Sequence, residues 1–119
     1  MSQLDLENRL IDFAVLIINV IEDIPNSKSG NHLSGQLIRS GTSPALNYGE
    51  ARGAESRKDF IHKIQVVLKE LRETYIALKI IHKSKLCENN KLIKTGIKEN
   101  DELISIFVKS TQTAKKNMP

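Results

Sequence analysis

The sequence contains one cysteine and no tryptophan. A single cysteine, Cys87, excludes an internal disulfide, so the fold cannot depend on covalent cross-links. Only 4% of the residues are aromatic whereas 39% are hydrophobic, so the core must consist mainly of leucine, isoleucine and valine. Aliphatic cores of this kind suit packed helices. At 119 residues, the chain is expected to form a single domain over positions 1–119.

Long hydrophobic runs are also missing. The most apolar stretch, residues 10–24, is interrupted by four polar or acidic side chains and is shorter than the roughly 20 residues that span a bilayer. Residues 1–9 contain two acids where a signal peptide would have a basic start and an apolar segment. We therefore expect a cytoplasmic protein that has no membrane contact.

The residue combinations of common active sites are absent. None of the three histidines, His32, His62 and His82, follows a glutamate by three positions, as helical carboxylate metal sites require. Cys87 lies in a predicted polar loop, where its thiol would be accessible but has no positioned base. The glycines do not form a phosphate loop. The sequence therefore predicts no enzyme activity, no catalytic residue, no metal, no cofactor and no small-molecule substrate.

Proline, glycine and polar clusters divide the chain into helical segments with apolar residues at three-and-four spacing. The predicted helices cover residues 4–24, 32–52, 56–83 and 90–115. Short loops between long helices predict an all-α, antiparallel, up-down-up-down four-helix bundle. We expect a kink near Pro44, with Ser43 as a local cap, and a left-handed helix end at Gly53. Ser56, three residues before Asp59, is expected to cap the third helix.

The first predicted helix is apolar around most of its circumference, with only a narrow polar strip of Asp12, Asn19 and Asp23. Such a helix must be covered on more than one side. Because a bundle of this size covers one side only, the pattern predicts contact with another copy of the chain.

Charge is unevenly distributed. Residues 1–50 hold three basic and six acidic residues, and residues 51–119 hold fifteen and eight, which gives net charges of −3 and +7. One face of the third predicted helix contains no acidic residue. Gln65 and Ile76 lie on this face, and its basic residues are Lys58, His62, Lys69, Arg72, Lys79 and Lys83. Such a row can bind nucleic-acid phosphates, but it can equally be a solvated helix face.

A second, mixed polar stripe runs along the facing sides of the second and third helices. Its residues are Arg39, Ser43, Asn47, Glu50, Asp59, Lys63, Glu70 and Glu73. Antiparallel packing that turns near residue 54 would place Arg39 near Glu70, and Glu50 within diagonal reach of Lys63. We interpret this stripe as structural, fixing helix register or a subunit contact, because half-buried charges are tolerated mainly when they are paired.

Residues 39–51 (RSGTSPALNYGEA), 56–63 (SRKDFIHK) and 68–74 (LKELRET) resemble the four-helix bundle family named for 23S ribosomal RNA intervening sequences. The resemblance extends over nearly the whole chain, with its sharp motifs between residues 37 and 83. It implies a bacterial ring-shaped homopentamer, and a related branch of retroelement accessory proteins engages nucleic acid through a basic surface. The recurring residues of the family map onto the mixed polar stripe.

The sequence leaves two functions open. One is a non-enzymatic homo-oligomer, a pentamer by resemblance, that associates with RNA or a nucleoprotein through its basic surface. The alternative is an oligomeric scaffold or protein-interaction module without nucleic-acid binding, in which the lysines are solvated and the polar stripes direct assembly.

Overall fold

Four helices account for most of the residues that the computed structural model describes, positions 1–118. They are α1 (Gln3–Glu22), α2 (Lys28–Arg52), α3 (Arg57–Lys83) and α4 (Asn90–Lys116). No strand occurs within these described positions. The predicted all-α class is confirmed, and no helix in this part of the chain is long and apolar enough to cross a membrane.

Each helix packs on the next one along the chain, and α1 also contacts α4, which closes a bundle about 50 Å long and 20 Å across. Glu7 near the start of α1 pairs with Arg52 at the end of α2 at 2.7 Å. Arg9 of α1 pairs at 2.7 Å with Glu99 of α4. The first pair joins the start of α1 to the end of α2, and Asp23 at the end of α1 accepts a 2.7 Å hydrogen bond from the N–H of Asn89 at the start of α4. Both contacts join helices that run in opposite directions, in agreement with the predicted up-down-up-down order.

Every helix begins at a side-chain cap. The oxygens of Ser2, Ser27, Ser56 and Asn89 each accept a hydrogen bond, 3.0 Å long, from the backbone N–H three residues further on. Such a bond satisfies one of the N–H groups that have no partner within the helix. The predicted cap at Ser56 is therefore confirmed. The cap at Ser27 explains why α2 starts four residues earlier than the apolar pattern predicts.

Two of the predicted helix ends and caps are wrong. Gly53 has φ −99° rather than a left-handed conformation, because its N–H continues the helical bonding to Glu50 and Ala51. The left-handed residue is Lys85, with φ 58°, which follows the last turn of α3. Ser43 does not cap a helix, since α2 is continuous through Pro44; a kink there remains a prediction.

The core is aliphatic, as its composition indicates. Its largest fully buried side chains are Leu10, Phe13, Ile17, Val20, Leu37, Ile64, Leu71, Leu78, Ile81, Ile93, Leu103 and Phe107. Burying one such side chain contributes about 1.5–3 kcal/mol. All four helices supply members of this set, so no helix can leave the bundle without exposing part of the core.

Five polar residues are buried in this core, and all but Thr111 belong to what we call the polar layer: Ser40, Glu70, Thr74 and Asn100. The hydroxyls of Ser40 and Thr74 hydrogen-bond each other at 2.9 Å between α2 and α3. The Asn100 amide of α4 donates to the Leu71 carbonyl of α3 at 3.0 Å. The polar layer thus connects three helices at one level of the bundle.

At Gly41, α2 packs tightly against Ile17 of α1. A Cβ atom added at Gly41 would lie 2.7 Å from Cγ2 and 2.8 Å from Cγ1 of Ile17, whose branched side chain is fully buried. Gly35, two turns earlier in the same helix, has no atom within 4 Å of such a Cβ. The two glycines therefore differ in packing but not in secondary structure.

We predict opposite effects for alanine at these positions. Gly41→Ala should lower the free energy of unfolding by about 1–3 kcal/mol, because Ile17 has no room to move. Gly35→Ala should raise it by about 0.5–1 kcal/mol through helix propensity alone. Chemical denaturation measures both. Equal stabilisation by the two changes would show that α1 and α2 are further apart than described.

Candidate nucleic-acid interface

The basic residues predicted on the third helix lie together on the exposed side of α3. We call them the α3 basic row: Lys58, His62, Lys69, Arg72, Lys79 and Lys83. The row spans roughly seven helical turns. Among residues 1–118, none of its members forms an ion pair, so their charges are available to an external partner.

The row is interrupted at Ile76, whose side chain is 58% exposed. Beyond this gap, the Lys79 ammonium lies 5.5 Å from the centroid of the Tyr75 ring, a cation–π contact that leaves the lysine on the surface. No aromatic residue among positions 1–118 is classed as exposed. The surface can therefore contact phosphates but offers no platform for stacking unpaired bases.

A second group of lysines on α4 extends this surface, and the sequence interpretation missed it. Lys91, Lys94 and Lys98 are exposed and line one shallow depression with Asn90 and Thr95. Their spacing of three and four residues, which places them on one helix face, was the available signal. It was overlooked because α4 was examined only for its apolar face.

The turn between α3 and α4 carries a further cation, Lys85, between the two groups of lysines in the sequence. His82, Lys83 and Lys85 line a hollow of about 600 Å³ whose one acidic member is Glu88. The left-handed conformation of Lys85 ends α3 and directs the chain into α4. We call the α3 basic row, Lys85 and the three α4 lysines the basic face.

The cysteine at this end of the bundle is not the accessible thiol that its polar surroundings predicted. Cys87 is buried, and its thiol lies 2.9 Å from the Asp23 carboxylate, to which it donates a hydrogen bond. Burial, together with this hydrogen bond, raises the pKa of Cys87 to about 12. The thiol therefore stays protonated and is a poor nucleophile.

Asp23 joins the end of α1 to the start of α4. Its carboxylate accepts hydrogen bonds from the Cys87 thiol and, at 2.7 Å, from the Asn89 backbone N–H. The thiol bond, followed by the bond from Asn89, lowers the pKa of Asp23 below its ordinary value. Because Asn89 is the cap of α4, Asp23 also supports the beginning of the helix that carries the additional lysines.

The mixed polar stripe is divided between α2 and α3, and the predicted pairs are present. The Arg39 guanidinium contacts Glu70 at 2.9 Å and also Glu73. Lys63 contacts Glu50 at 3.3 Å. The hydrogen bond to Glu70 is the main cause that raises the pKa of Arg39, so the guanidinium is charged at any ordinary pH.

The remaining members of the stripe make local contacts. Asn47 donates from its amide to the Ser43 hydroxyl at 2.8 Å and to the Ser43 carbonyl at 3.0 Å, one turn earlier in α2. Asp59 lies in the first turn of α3, where its backbone N–H bonds to Ser56. Within residues 1–118, no group of three or more metal-binding side chains is close enough to hold a metal ion.

Residues 2–109 match the family model for the 23S rRNA-intervening sequence protein. The chain belongs to this family. A crystal structure from the S23 ribosomal protein family of Bacteroides thetaiotaomicron, described as a protein with unknown function, superposes with a TM-score of 0.81. It is 28% identical and covers 89% of this chain and 97% of its own. No curated protein matches the sequence significantly.

Membership of the 23S rRNA-intervening sequence protein family confirms the resemblance drawn from the motifs in α2 and α3. The family match extends through α1 and most of α4, where the sequence offered only an apolar pattern. The superposition covers nearly all of the similar S23 structure, so the shared fold includes all but a small part of that chain.

We predict that Arg39→Ala lowers the melting temperature at neutral pH, because Glu70 is only 8% exposed and would lose its cation. The loss should shrink in acid, because acid removes the negative charge of the carboxyl groups while Arg39 keeps its positive charge. The charge pair that the substitution deletes is then already absent. Differential scanning calorimetry at neutral and acidic pH measures the effect. Arg72→Ala, which removes an exposed and unpaired arginine, is the control and should change little. A loss that is the same at both pH values would rule out a charge pair.

Proposed function

We propose that this protein is a non-enzymatic, cytoplasmic homo-oligomer that associates with RNA through the basic face of α3 and α4. The observation that carries the proposal is that this face presents unpaired cations on two adjacent helices. Its six lysines nearest the α3–α4 turn are Lys79, Lys83, Lys85, Lys91, Lys94 and Lys98. Clustered lysine and arginine bind nucleic acid by releasing counterions from phosphates.

The distribution of charge favours RNA binding over the alternative that the lysines form a merely solvated surface. Four acids of α1, α2 and the mixed stripe have basic partners within the chain: Glu7 pairs with Arg52, Glu50 with Lys63, and Glu70 and Glu73 with Arg39. The basic face keeps no such partners among the described residues. Cations left unpaired side by side raise the local positive potential, which attracts a polyanion.

A separate apolar stripe supports assembly with further copies of the chain. On α1, Leu4, Ile11, Val15 and Ile18 are each between 42% and 54% exposed. Glu7 lies three residues after Leu4 and pairs with Arg52, so the stripe runs beside the contact between α1 and α2. Contiguous apolar surface of this kind marks an interaction site. We call these four residues the α1 stripe.

A second apolar hollow lies between α2 and α3. It has a volume of about 290 Å³ and is lined by Leu33, Gln36, Ile76 and Ile80, among others. Because the hollow and the α1 stripe occupy different sides of the bundle, one copy can seat its stripe in the hollow of the next. Such a head-to-tail contact repeats around a closed ring, which suits the pentamer that the resemblance implies.

To test RNA binding, we would measure the affinity for a fluorescent RNA hairpin by anisotropy at about 50 and 200 mM salt. Affinity should fall steeply with salt. The variant Lys69→Gln, Arg72→Gln and Lys79→Gln should bind more weakly at low salt. Its slope against the logarithm of salt should decrease by about one for each phosphate contact removed.

The matched control changes the net charge equally but away from the basic face. Asn19→Asp, Ser29→Glu and His32→Glu are exposed positions on α1 and α2. This triple variant should retain the native salt slope. If both variants bind alike, net charge rather than the basic face determines affinity. If the native protein does not bind even at low salt, the scaffold function, supported by the α1 stripe alone, replaces the RNA proposal.

Assembly gives a separate prediction. Val15→Glu should convert the oligomer into monomers, because it places a charge at the centre of the α1 stripe, whereas a charge on a free surface would be harmless. Light scattering gives the mass of each species. Gln112→Glu, an equal charge change on exposed α4, should leave the mass unchanged. A native protein that is already monomeric at micromolar concentration would contradict the assembly proposal.

A further inference from the structure

A cavity of about 520 Å³ opens at the end of the bundle where α1 and α3 begin and α4 finishes. Its apolar lining consists of Leu6, Phe60, Ile64, Ile106 and Ala114. The volume lies within the roughly 300–1,000 Å³ typical of small-molecule sites. The cavity is at the opposite end of the bundle from the α3–α4 turn, so it is distinct from the lysines clustered there.

The polar lining of the cavity is basic. Arg57 and Lys109 line it together with the hydroxyl residues Ser110 and Thr113, and none of its lining residues among positions 1–118 is acidic. Neither cation forms an ion pair within positions 1–118. The Arg57 guanidinium lies 5.9 Å from the centroid of the Phe60 ring, so the positive charge is held directly beside the apolar lining.

Tyr48 of α2 also lines the cavity and is only 3% exposed. Its ring contacts the Phe107 ring edge-on, with centroids 5.5 Å apart. Burial raises the pKa of Tyr48, so its hydroxyl is neutral and remains a donor.

We propose that this cavity binds a small organic anion with an apolar body, of the class of medium-chain carboxylates. The carboxylate pairs with Arg57 and Lys109, and the hydrocarbon chain covers Phe60 and Ile64. Each half of the lining selects against a simpler ligand. Inorganic phosphate has no apolar part to bury, and a neutral alcohol leaves both cations without a counter-charge. The ligand is bound and released without chemical change.

An RNA chain is a poorer occupant of this cavity. One face of the Phe60 ring is already covered by Arg57, which leaves less room for a base to stack. A ribose–phosphate backbone gains little from an aliphatic lining. The cavity is therefore a second site with its own ligand class, and its assignment does not depend on the proposed function of the basic face.

Isothermal titration calorimetry with decanoate, below the concentration at which it forms micelles, tests this assignment. Decanoate should bind once per chain, and decanol and inorganic phosphate should each bind at least about tenfold more weakly. Arg57→Gln and Lys109→Gln should each weaken decanoate binding about tenfold, the effect of losing one charge-assisted hydrogen bond. Lys98→Gln, on the basic face, is the matched control and should leave binding unchanged.

A third variant tests whether the ligand occupies the cavity itself. Ser110→Phe places a ring in the cavity and should abolish binding while the melting temperature shows that the fold is kept. Three results would overturn the proposal. Decanoate could fail to bind, decanol or phosphate could bind as well as decanoate, or Lys98→Gln could weaken binding as much as the two cavity variants do.

Discussion

Leucine and isoleucine side chains hold the four helices together without fixing how far one helix slides along its neighbour. The polar layer supplies that constraint, because a slip of one turn would separate the hydroxyls of Ser40 and Thr74 inside the core. Within the same layer, Glu70 pairs with Arg39 of α2, and Asn100 connects α4 to α3. Buried polar groups that must find partners permit one alignment where an aliphatic core tolerates several.

The division of the surface follows from that alignment. With α3 held between α2 and α4, the α3 basic row and the α4 lysines lie on the exposed sides of two helices that pack against each other. The α1 stripe lies beside the contact between α1 and α2, on the other pair of helices. The hollow proposed for assembly includes Ile76, which lies between Arg72 and Lys79 of the α3 basic row, so the proposed self-association and the proposed RNA binding would compete for the middle of α3.

The sequence was sufficient for the fold and for part of the site. Periodicity located all four helices, and the pair of Arg39 with Glu70 followed from antiparallel alignment alone. The features that could not be predicted from the sequence depend on contacts between distant parts of the chain. The burial of Cys87 arises from Asp23 at the end of α1, and the cavity is assembled from the ends of three helices and Tyr48. Neither arrangement leaves a local pattern, whereas the α4 lysines did and were overlooked.

Helix α4 carries features that stability alone would not favour. Asn100 is fully buried, yet its Oδ1 atom has no hydrogen-bond partner among residues 1–118, and the same is true of the Thr111 hydroxyl. An unpaired buried polar atom costs about 1–3 kcal/mol. An aliphatic residue at position 100 would avoid this cost. It would also lose the hydrogen bond to Leu71, which fixes the position of α4 along the axis of α3. The position of the α4 lysines relative to the α3 basic row depends on this alignment of the two helices. We therefore infer that Asn100 favours one alignment of the basic face at the expense of stability.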